Sequence, residues 1–422
     1  MLFRKKETMM MENTASKKRW MYVVIGAFTM MIAIAFARMS YGVILPYMRD
    51  GLSLTYKQSG FLGTVTSLGY LAFVLLAGVV AVKWGGKKTI LFGVSCTIIG
   101  FIGLSITMNF PMTIFFMLLL GIGTAFTFTT LVSIVTGWFP DKRGLSIGLM
   151  TSGVGIGGLL TGLLVPFLSG LSSEGWRLSW GFFAFAGLIT LLLIAIFIKD
   201  PPNMKMKQHD KKKNVSSQHA IKIFKNPNLI IIGIIYGIVG LTHLAQSIFI
   251  MSFMLQSGIS PSLAGKLVAV NGIFSIFSSP FWGYISDRIG RMNSLLITVS
   301  LSFLSMSIAL ISQSFIGFSL HMILLSLTIS GLFTLVQAAS LEQVDEPKDM
   351  PIAFSYVTFY FASGQLLGPM IAGWMIEDFG GFKRAFLMLS AFLAVGIILA
   401  VLLKVRTATR ATNPAKVKQT VS

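Results

Sequence analysis

Long apolar runs separated by short polar breaks dominate the pattern of this chain. Runs of span length lie at about 20–48, 58–82, 88–107, 111–138, 144–168 and 178–198. After one longer polar stretch they resume at about 228–256, 262–284, 292–312, 315–340, 350–376 and 382–404. A hydrocarbon core about 30 Å thick needs about 20 helical residues to cross it. In lipid a helix satisfies every backbone polar group within its own segment. The pattern therefore predicts an all-α integral membrane protein with twelve transmembrane helices. The first run is too long for a cleavable signal peptide, and no small-residue cleavage site precedes the next loop. Met9, Met10 and Met11 leave the start methionine open.

The polar positions repeat as well. Gly78-Val-Val-Ala-Val82-Lys83-Trp-Gly85 aligns with Gly283-Tyr-Ile-Ser-Asp287-Arg288-Ile-Gly290 at an offset of 205, and Gly175-Trp176-Arg177 aligns with Gly381-Phe382-Lys383 at 206. Two separate landmarks at nearly one offset predict an internal duplication, with two six-helix bundles related by an axis along the membrane normal. The expected organisation is an N-terminal tail (1–19), a first bundle (20–198), a linker (199–227), a second bundle (228–404) and a C-terminal tail (405–422). Pro201-Pro202 and Lys211-Lys212-Lys213 mark the linker as flexible.

Composition sharpens the class. Of 422 residues 54% are hydrophobic and 11% charged, with a mean hydropathy of +0.80. Soluble chains carry about 25% charged residues, so an aqueous globular enzyme is excluded. The net charge of +20 suggests nucleic acid until the basic residues are located. With the N-terminus inside, 27 of 34 Lys and Arg fall in inner segments and 6 in outer loops. That asymmetry predicts both termini in the cytoplasm and explains the charge without a nucleic-acid partner. The single cysteine, Cys96, lies in an apolar run, which excludes a disulfide framework.

Between spans eight and nine stands Gly283-x-x-Ser286-Asp287-Arg288-x-Gly290-Arg291. Two helices must reverse here within a few residues, hence Gly290. Asp287 is placed to meet a neighbouring helix N-terminus, and the arginines to hold carbonyls or acids. The segment resembles the signature loop of the major facilitator superfamily, and the resemblance covers roughly residues 20–404. It implies two six-helix bundles, a central cavity and alternating access, with gating by Gly78, Lys83 and Gly85 in the first copy and Asp287, Arg288, Gly290 and Arg291 in the second. In the family the loop acid helps latch the halves at the cytoplasmic side. The first copy departs from this, with Val82 at the acidic position and Gly86 at a basic one, so the latch is expected at Asp287 only.

A narrower resemblance rests on Phe36-Ala-Arg38-Met-Ser-Tyr41-Gly-Val-Ile-Leu45-Pro46 in span one and on Ala353-Phe354, Gly364-Gln365-x-x-Gly368-Pro369 and Gly373 in span eleven. These are similar to the YbfB/YjiJ group of bacterial facilitators. Trp138-Phe139-Pro140-Asp-Lys142-Arg143-Gly144 and the glycine-rich span five are similar to monocarboxylate and oxalate/formate transporters, which implies small organic anions as cargo.

Arg38 is the most informative single residue. It lies about 6 Å from the midpoint between Arg19 and Arg49 at about 1.5 Å per residue. Arginine at that depth costs about 2.5–3.5 kcal/mol on insertion scales. One reading is snorkelling to the outer face. The other is a water-filled cavity where an anionic substrate supplies the counter-charge, since all 14 acids fall in tails, loops or span ends. Tyr41, at i+3, is expected to share the face.

His243 and Gln246 lie mid-way along span seven, the repeat counterpart of span one. His243 is either a hydrogen-bonded packing residue or a proton carrier, and His321, nearer the outer end of span ten, is the second histidine candidate. Thr124, Thr127 and Thr130 in span four, Asn271 in span eight and Gln337 in span ten line a cavity or act as interhelical glue. Gly153-x-Gly155-x-x-Gly158 matches a dinucleotide fingerprint by letters alone, and inside a span it reads as close packing. There is no nucleotide-binding loop, metal spacing or nucleophile triad, so no cofactor, metal or catalytic residue is expected.

The sequence thus predicts a monomeric secondary transporter in a bacterial plasma membrane. Its expected cargo is a small organic anion such as a carboxylate, with proton coupling open. Substrate contacts are expected from Arg38, Tyr41, Thr127, His243, Gln246, Asn271 and Gln337. The alternatives are efflux of amphipathic compounds and, in another class, a receptor on a transporter fold.

Overall fold

The computed structural model describes residues 20–139, 142–201, 223–344 and 350–412. The expected N-terminal tail, most of the expected linker and all but the first eight residues of the expected C-terminal tail lie outside these. Among the described residues all regular structure is helical. We number the helices α1 (20–51), α2 (Tyr56–Trp84), α3 (Gly86–Ile106), α4 (Phe110–Trp138), α5 (Arg143–Ser169), α6 (Gly175–Phe197), α7 (Pro227–Gln256), α8 (Pro261–Ile289), α9 (Arg291–Ile311), α10 (Phe315–Leu341), α11 (Met350–Asp378) and α12 (Gly381–Thr412). Among the described residues these twelve long helices, in the expected order, bear out the fold class.

Eleven of them are long and apolar enough to cross a membrane. The other, α11, has 29 residues and dilutes its apolar run with Ser355, Tyr356, Thr358, Tyr360, Ser363 and Gln365. Large apolar side chains such as Leu75, Phe167, Ile196, Ile311 and Ile398 stand exposed around the helices. Such a surface is that of a chain whose outer solvent is lipid.

The duplication reappears in the backbone. The offset of 205 maps α2 onto α8 and α3 onto α9 end for end, and the first residue of α4 onto that of α10. Gly85 and Gly290, equivalent in the repeat, adopt nearly the same conformation, φ +88°, ψ 154° and φ +85°, ψ 151°. That region is open to glycine almost alone. It lets one helix end and the next begin with a single residue between them.

The chain divides into two compact units, one of residues 20–54 and 65–201, the other of 55–64 and 223–412. The first turns of α2 group with the second unit through α11. The Tyr56 amide donates to Glu377 at 2.9 Å, Lys57 pairs with Asp378 at 2.7 Å, and the Thr64 hydroxyl donates to the Leu366 carbonyl at 2.8 Å. The first unit packs Ile25, Met30, Val94, Leu131, Val135 and Ile194 into its core, and the second Ile232, Val239, Leu295, Val299, Leu335 and Leu403. Glycine allows the closest crossings. A Cβ at Gly153 would collide with the Ala27 carbonyl, and one at Gly368 with the Leu241 carbonyl. Gly153, the first of the fingerprint-like glycines of α5, is thus a packing residue against α1.

Candidate functional site

Span one is not a uniform α-helix. It is π-helical over Met31–Met39, and α-helix resumes at Tyr41. The Ser40 amide reaches back five residues to the Ala35 carbonyl at 2.8 Å, the i→i+5 bond of a π turn. Neighbours hold this segment in place. Thr124 of α4 donates to the Ala33 carbonyl at 2.8 Å, and Ala35 lies where a Cβ on Gly157 of α5 would be. Phe36 stacks on Phe183 of α6 with ring centroids 4.1 Å apart. Wider turns rotate each successive side chain less far about the axis. Tyr41 is 1% exposed, while Arg38 at the end of the π segment is half-buried.

Two side chains of α2 meet Arg38. The Ser67 hydroxyl lies 3.5 Å from Nη2, and the guanidinium carbon stands 4.9 Å from the centroid of the Tyr70 ring. Cation–π contact and a hydroxyl, both neutral, orient the planar fork. The sequence does not single out Ser67 or Tyr70, because nothing in an apolar run says which of its faces meets another helix. Thr127 is fully buried on α4, where its hydroxyl packs on Gly93 of α3. Thr124 is the threonine whose hydroxyl bonds the π segment.

In the second unit the chosen residues gather around α10. His243, half-buried on α7, lies edge-on to Phe333 of α10, which contacts Tyr236 and Phe361 in turn. Gln246 is 1% exposed and joins His321 at 3.2 Å. The Asn271 amide donates to the Met322 carbonyl at 3.2 Å, tying α8 to α10. Gln337 is half-buried near the C-terminal end of α10.

The two hairpins expected to gate share a backbone and differ in what pins them. In the first, Asp200, just beyond α6, accepts from the Lys87 amide at 2.7 Å, and the Lys87 ammonium donates to the Ala195 carbonyl at 2.6 Å. A carboxylate on the first-turn amides of α3 caps the helix and complements its dipole. In the second, Arg291 donates to Glu342 at 2.5 Å and lies 3.6 Å from Asp287. Arg288 stands over the Tyr284 ring at 4.3 Å. The helix-capping acid expected at Asp287 is therefore Asp200 of the other copy, while Asp287, 72% exposed, faces Arg291 of its own hairpin. Lys83 is exposed, and a Cβ at Gly78 or Gly283 would meet nothing. Asp200 and Glu342 are missed by motif reading because both come from other helix ends.

Among the described residues no group of three or more His, Cys, Asp or Glu is placed to hold a metal ion.

Comparison with known proteins gives these parts a context. The chain is 22% identical over 364 residues to the hexuronate transporter of Bacillus subtilis, covering 81% of this chain and 86% of that one. It is 22% identical over 332 residues to the sialic acid transporter NanX of Escherichia coli, covering 76% and 79%. With the oxalate:formate antiporter of Oxalobacter formigenes it shares 26% over 231 residues, 52% of either chain, so it spans only about half the length of that relative. The crystal structure of the nucleoside transporter NupG superposes with a TM-score of 0.74 at 15% identity, covering 92% of this chain and 98% of that one. A bacterial homologue of the human lysosomal transporter Spinster, inward-facing and occupied, superposes with a TM-score of 0.73 at 17% identity over 90% of this chain and 96% of that one. Residues 30–401 match the family described as uncharacterised MFS-type transporter YbfB, and with nearly nine-tenths of its length inside that match the chain belongs to this family of multi-pass membrane transporters.

Proposed function

We propose that the protein carries a small organic anion, a carboxylate by preference, and that Arg38 grips it. The observation that carries this reading is the guanidinium at the end of the π segment, deep in span one, oriented by Ser67 and Tyr70. Ser67 and Tyr70 set the plane of its fork, and a planar fork matches a carboxylate in bidentate fashion. The names of the relatives support the class, since oxalate, formate, hexuronate and sialic acid are all carboxylates. On this reading Tyr70 forms one wall of the site. The transporter sits in a bacterial plasma membrane with both termini inside. External labelling of cysteines introduced at Ser172 but not at Ser216 tests that orientation, and labelling at Ser216 from outside intact cells overturns it.

The test of the site is thermal stabilisation of the purified protein by oxalate, formate, a hexuronate and sialic acid. Arg38→Lys retains the charge and loses the fork, so stabilisation weakens. Arg38→Gln loses both, and stabilisation disappears while the protein still inserts and folds. A folded Arg38→Gln variant stabilised as well as the wild type by any of the four removes Arg38 from the site.

A further inference from the structure

His321 is where α7, α9 and α10 meet through polar atoms. Its residue is 0% exposed, and Gln246 beside it 1%. Nδ1 lies 2.8 Å from the backbone carbonyl oxygen of Ser305 on α9. A carbonyl can only accept, so Nδ1 carries a proton. Nε2 lies 3.2 Å from the amide nitrogen of Gln246. That nitrogen can only donate, so Nε2 offers its lone pair and the ring is neutral. The Ser305 hydroxyl donates to the His321 carbonyl at 2.8 Å and closes the α9–α10 side.

The other end of the same amide is unsatisfied. Gln246 Oε1 is buried and has no hydrogen-bond partner among the described residues. A half-turn of the amide brings this oxygen to the place where its nitrogen now stands, facing Nε2. A bond forms there only if Nε2 bears a proton. Nδ1 meanwhile still donates to Ser305, so the ring is then an imidazolium. A buried cation needs an acceptor at each N–H, and Ser305 O and Gln246 Oε1 are those two acceptors. The cluster has two hydrogen-bonded arrangements that differ by one proton and one amide rotation.

We propose that His321 and Gln246 form a single-proton binding site in the second unit, the point at which pH acts on this transporter. The proposal deepens the transport reading and rests on it for its purpose. Proton uptake adds one N–H bond at Nε2 and breaks no covalent bond. It exchanges which end of Gln246 holds α10, and so changes the tie between α10 and the helix that bears His243.

Titratable groups stand on each helix around His321. On α7 the titratable groups are Tyr236 and His243, three residues before Gln246. On α9 there is Arg291 at the inner end, paired with Glu342 at the end of α10. On α8 there are exposed Lys266 and, at the far end, Tyr284, Asp287 and Arg288. On α11 there are Tyr356 and Tyr360, and at its end Glu377 and Asp378, bound to the Tyr56 amide and Lys57. His243 lies on the same helix as Gln246, with its ring edge-on to Phe333.

The experiment is nitrogen NMR of the full chain in lipid nanodiscs, with histidine rings and glutamine amides labelled and His321 assigned by its loss in His321→Asn. At pH 8 the ring is expected as the neutral tautomer protonated at Nδ1. On acidification it converts to the doubly protonated form, and the Gln246 amide signals move with the same midpoint. In Gln246→Leu, or in Gln246→Met should that variant fold better, the conversion needs at least tenfold higher proton activity. Ser305→Ala, which leaves the backbone acceptor in place, keeps the Nδ1 tautomer. A ring that stays neutral throughout the pH range in which the protein is folded overturns the proposal. So does conversion at an unchanged pH in the Gln246 variants, or a Gln246 amide that does not move with the ring. None of these readouts involves a carboxylate, so failure of the anion panel at Arg38 sinks the organic-anion reading separately.

Discussion

The hairpins at Gly85 and Gly290 have the same backbone and opposite chemistry. In the first an acid from the end of α6, Asp200, holds the backbone amide of Lys87. In the second a base of the hairpin itself, Arg291, holds an acid at the end of α10, Glu342. Even the supporting bonds correspond, with Thr89 donating to the Gly85 carbonyl at 2.9 Å and Ser294 to that of Gly290 at 3.0 Å. A duplicated fold thus preserves the conformation only glycine allows and lets the pin be replaced. The loss of the loop acid at Val82 does not leave the first hairpin unpinned. It moves the carboxylate to another helix, where it meets a helix N-terminus instead of a side chain.

The glycines mark the largest expected effect. Alanine at either forces a residue with a Cβ into a sparsely populated region, a cost of about 1–3 kcal/mol. Gly85→Ala should lower the melting temperature more than Gly290→Ala. Its Cβ would lie 2.8 Å from the Asp200 carboxylate and push the cap aside, whereas the Gly290 Cβ meets nothing. Equal losses would show that the cap does not depend on Gly85.

Asp200→Ala comes next, with a loss of about 0.5–2 kcal/mol as for other N-cap deletions. Asp200→Asn should retain most of the stability, because asparagine also accepts from the first-turn amides. Thermal melts of the two variants side by side decide it. If Asn is as damaging as Ala, the charge and not the acceptor holds this hairpin.

Glu342→Gln should cost less, about 0.2–1 kcal/mol, because the partners are 50% and 31% exposed and solvent screens them. A double-mutant cycle with Arg291→Gln reads the coupling directly, and a coupling above that range would make the second hairpin the more firmly pinned.

The smallest stability effect belongs to Asp287→Asn, at most about 0.5 kcal/mol for an exposed i,i+4 pair. Its test is therefore transport. Uptake into proteoliposomes should fall more with Asp287→Asn than with Val82→Ser while both melting temperatures stay unchanged. Equal and negligible effects would remove Asp287 from gating.

Much of the candidate site was hidden from sequence for one reason. In a helix that is apolar nearly all round, no periodic face tells which residues meet a neighbour. Arg38 announced itself as a charge in lipid, but Ser67 and Tyr70 did not. His321 looked secondary to His243, which is closer to mid-span. Only the pairing of α7 with α10 shows that His321 holds Gln246 and that His243 meets an aromatic edge. The π segment left no mark either, since the residues of Met31–Met39 read the same in either helix type.

By itself the sequence determined the number and order of the helices, because lipid requires about 20 apolar residues for each crossing. It also determined the duplication, because a reversal within one residue needs glycine and the two glycines stand 205 residues apart. The tertiary structure alone decided the rotation of each helix about its axis and the depth at which two helices cross, and with them the interhelical partners of polar side chains. Those follow from which small residue lets which carbonyl approach, as at Gly153 and Ala27 or Gly368 and Leu241. Such contacts are summed over a whole bundle, so no local stretch of the chain contains them.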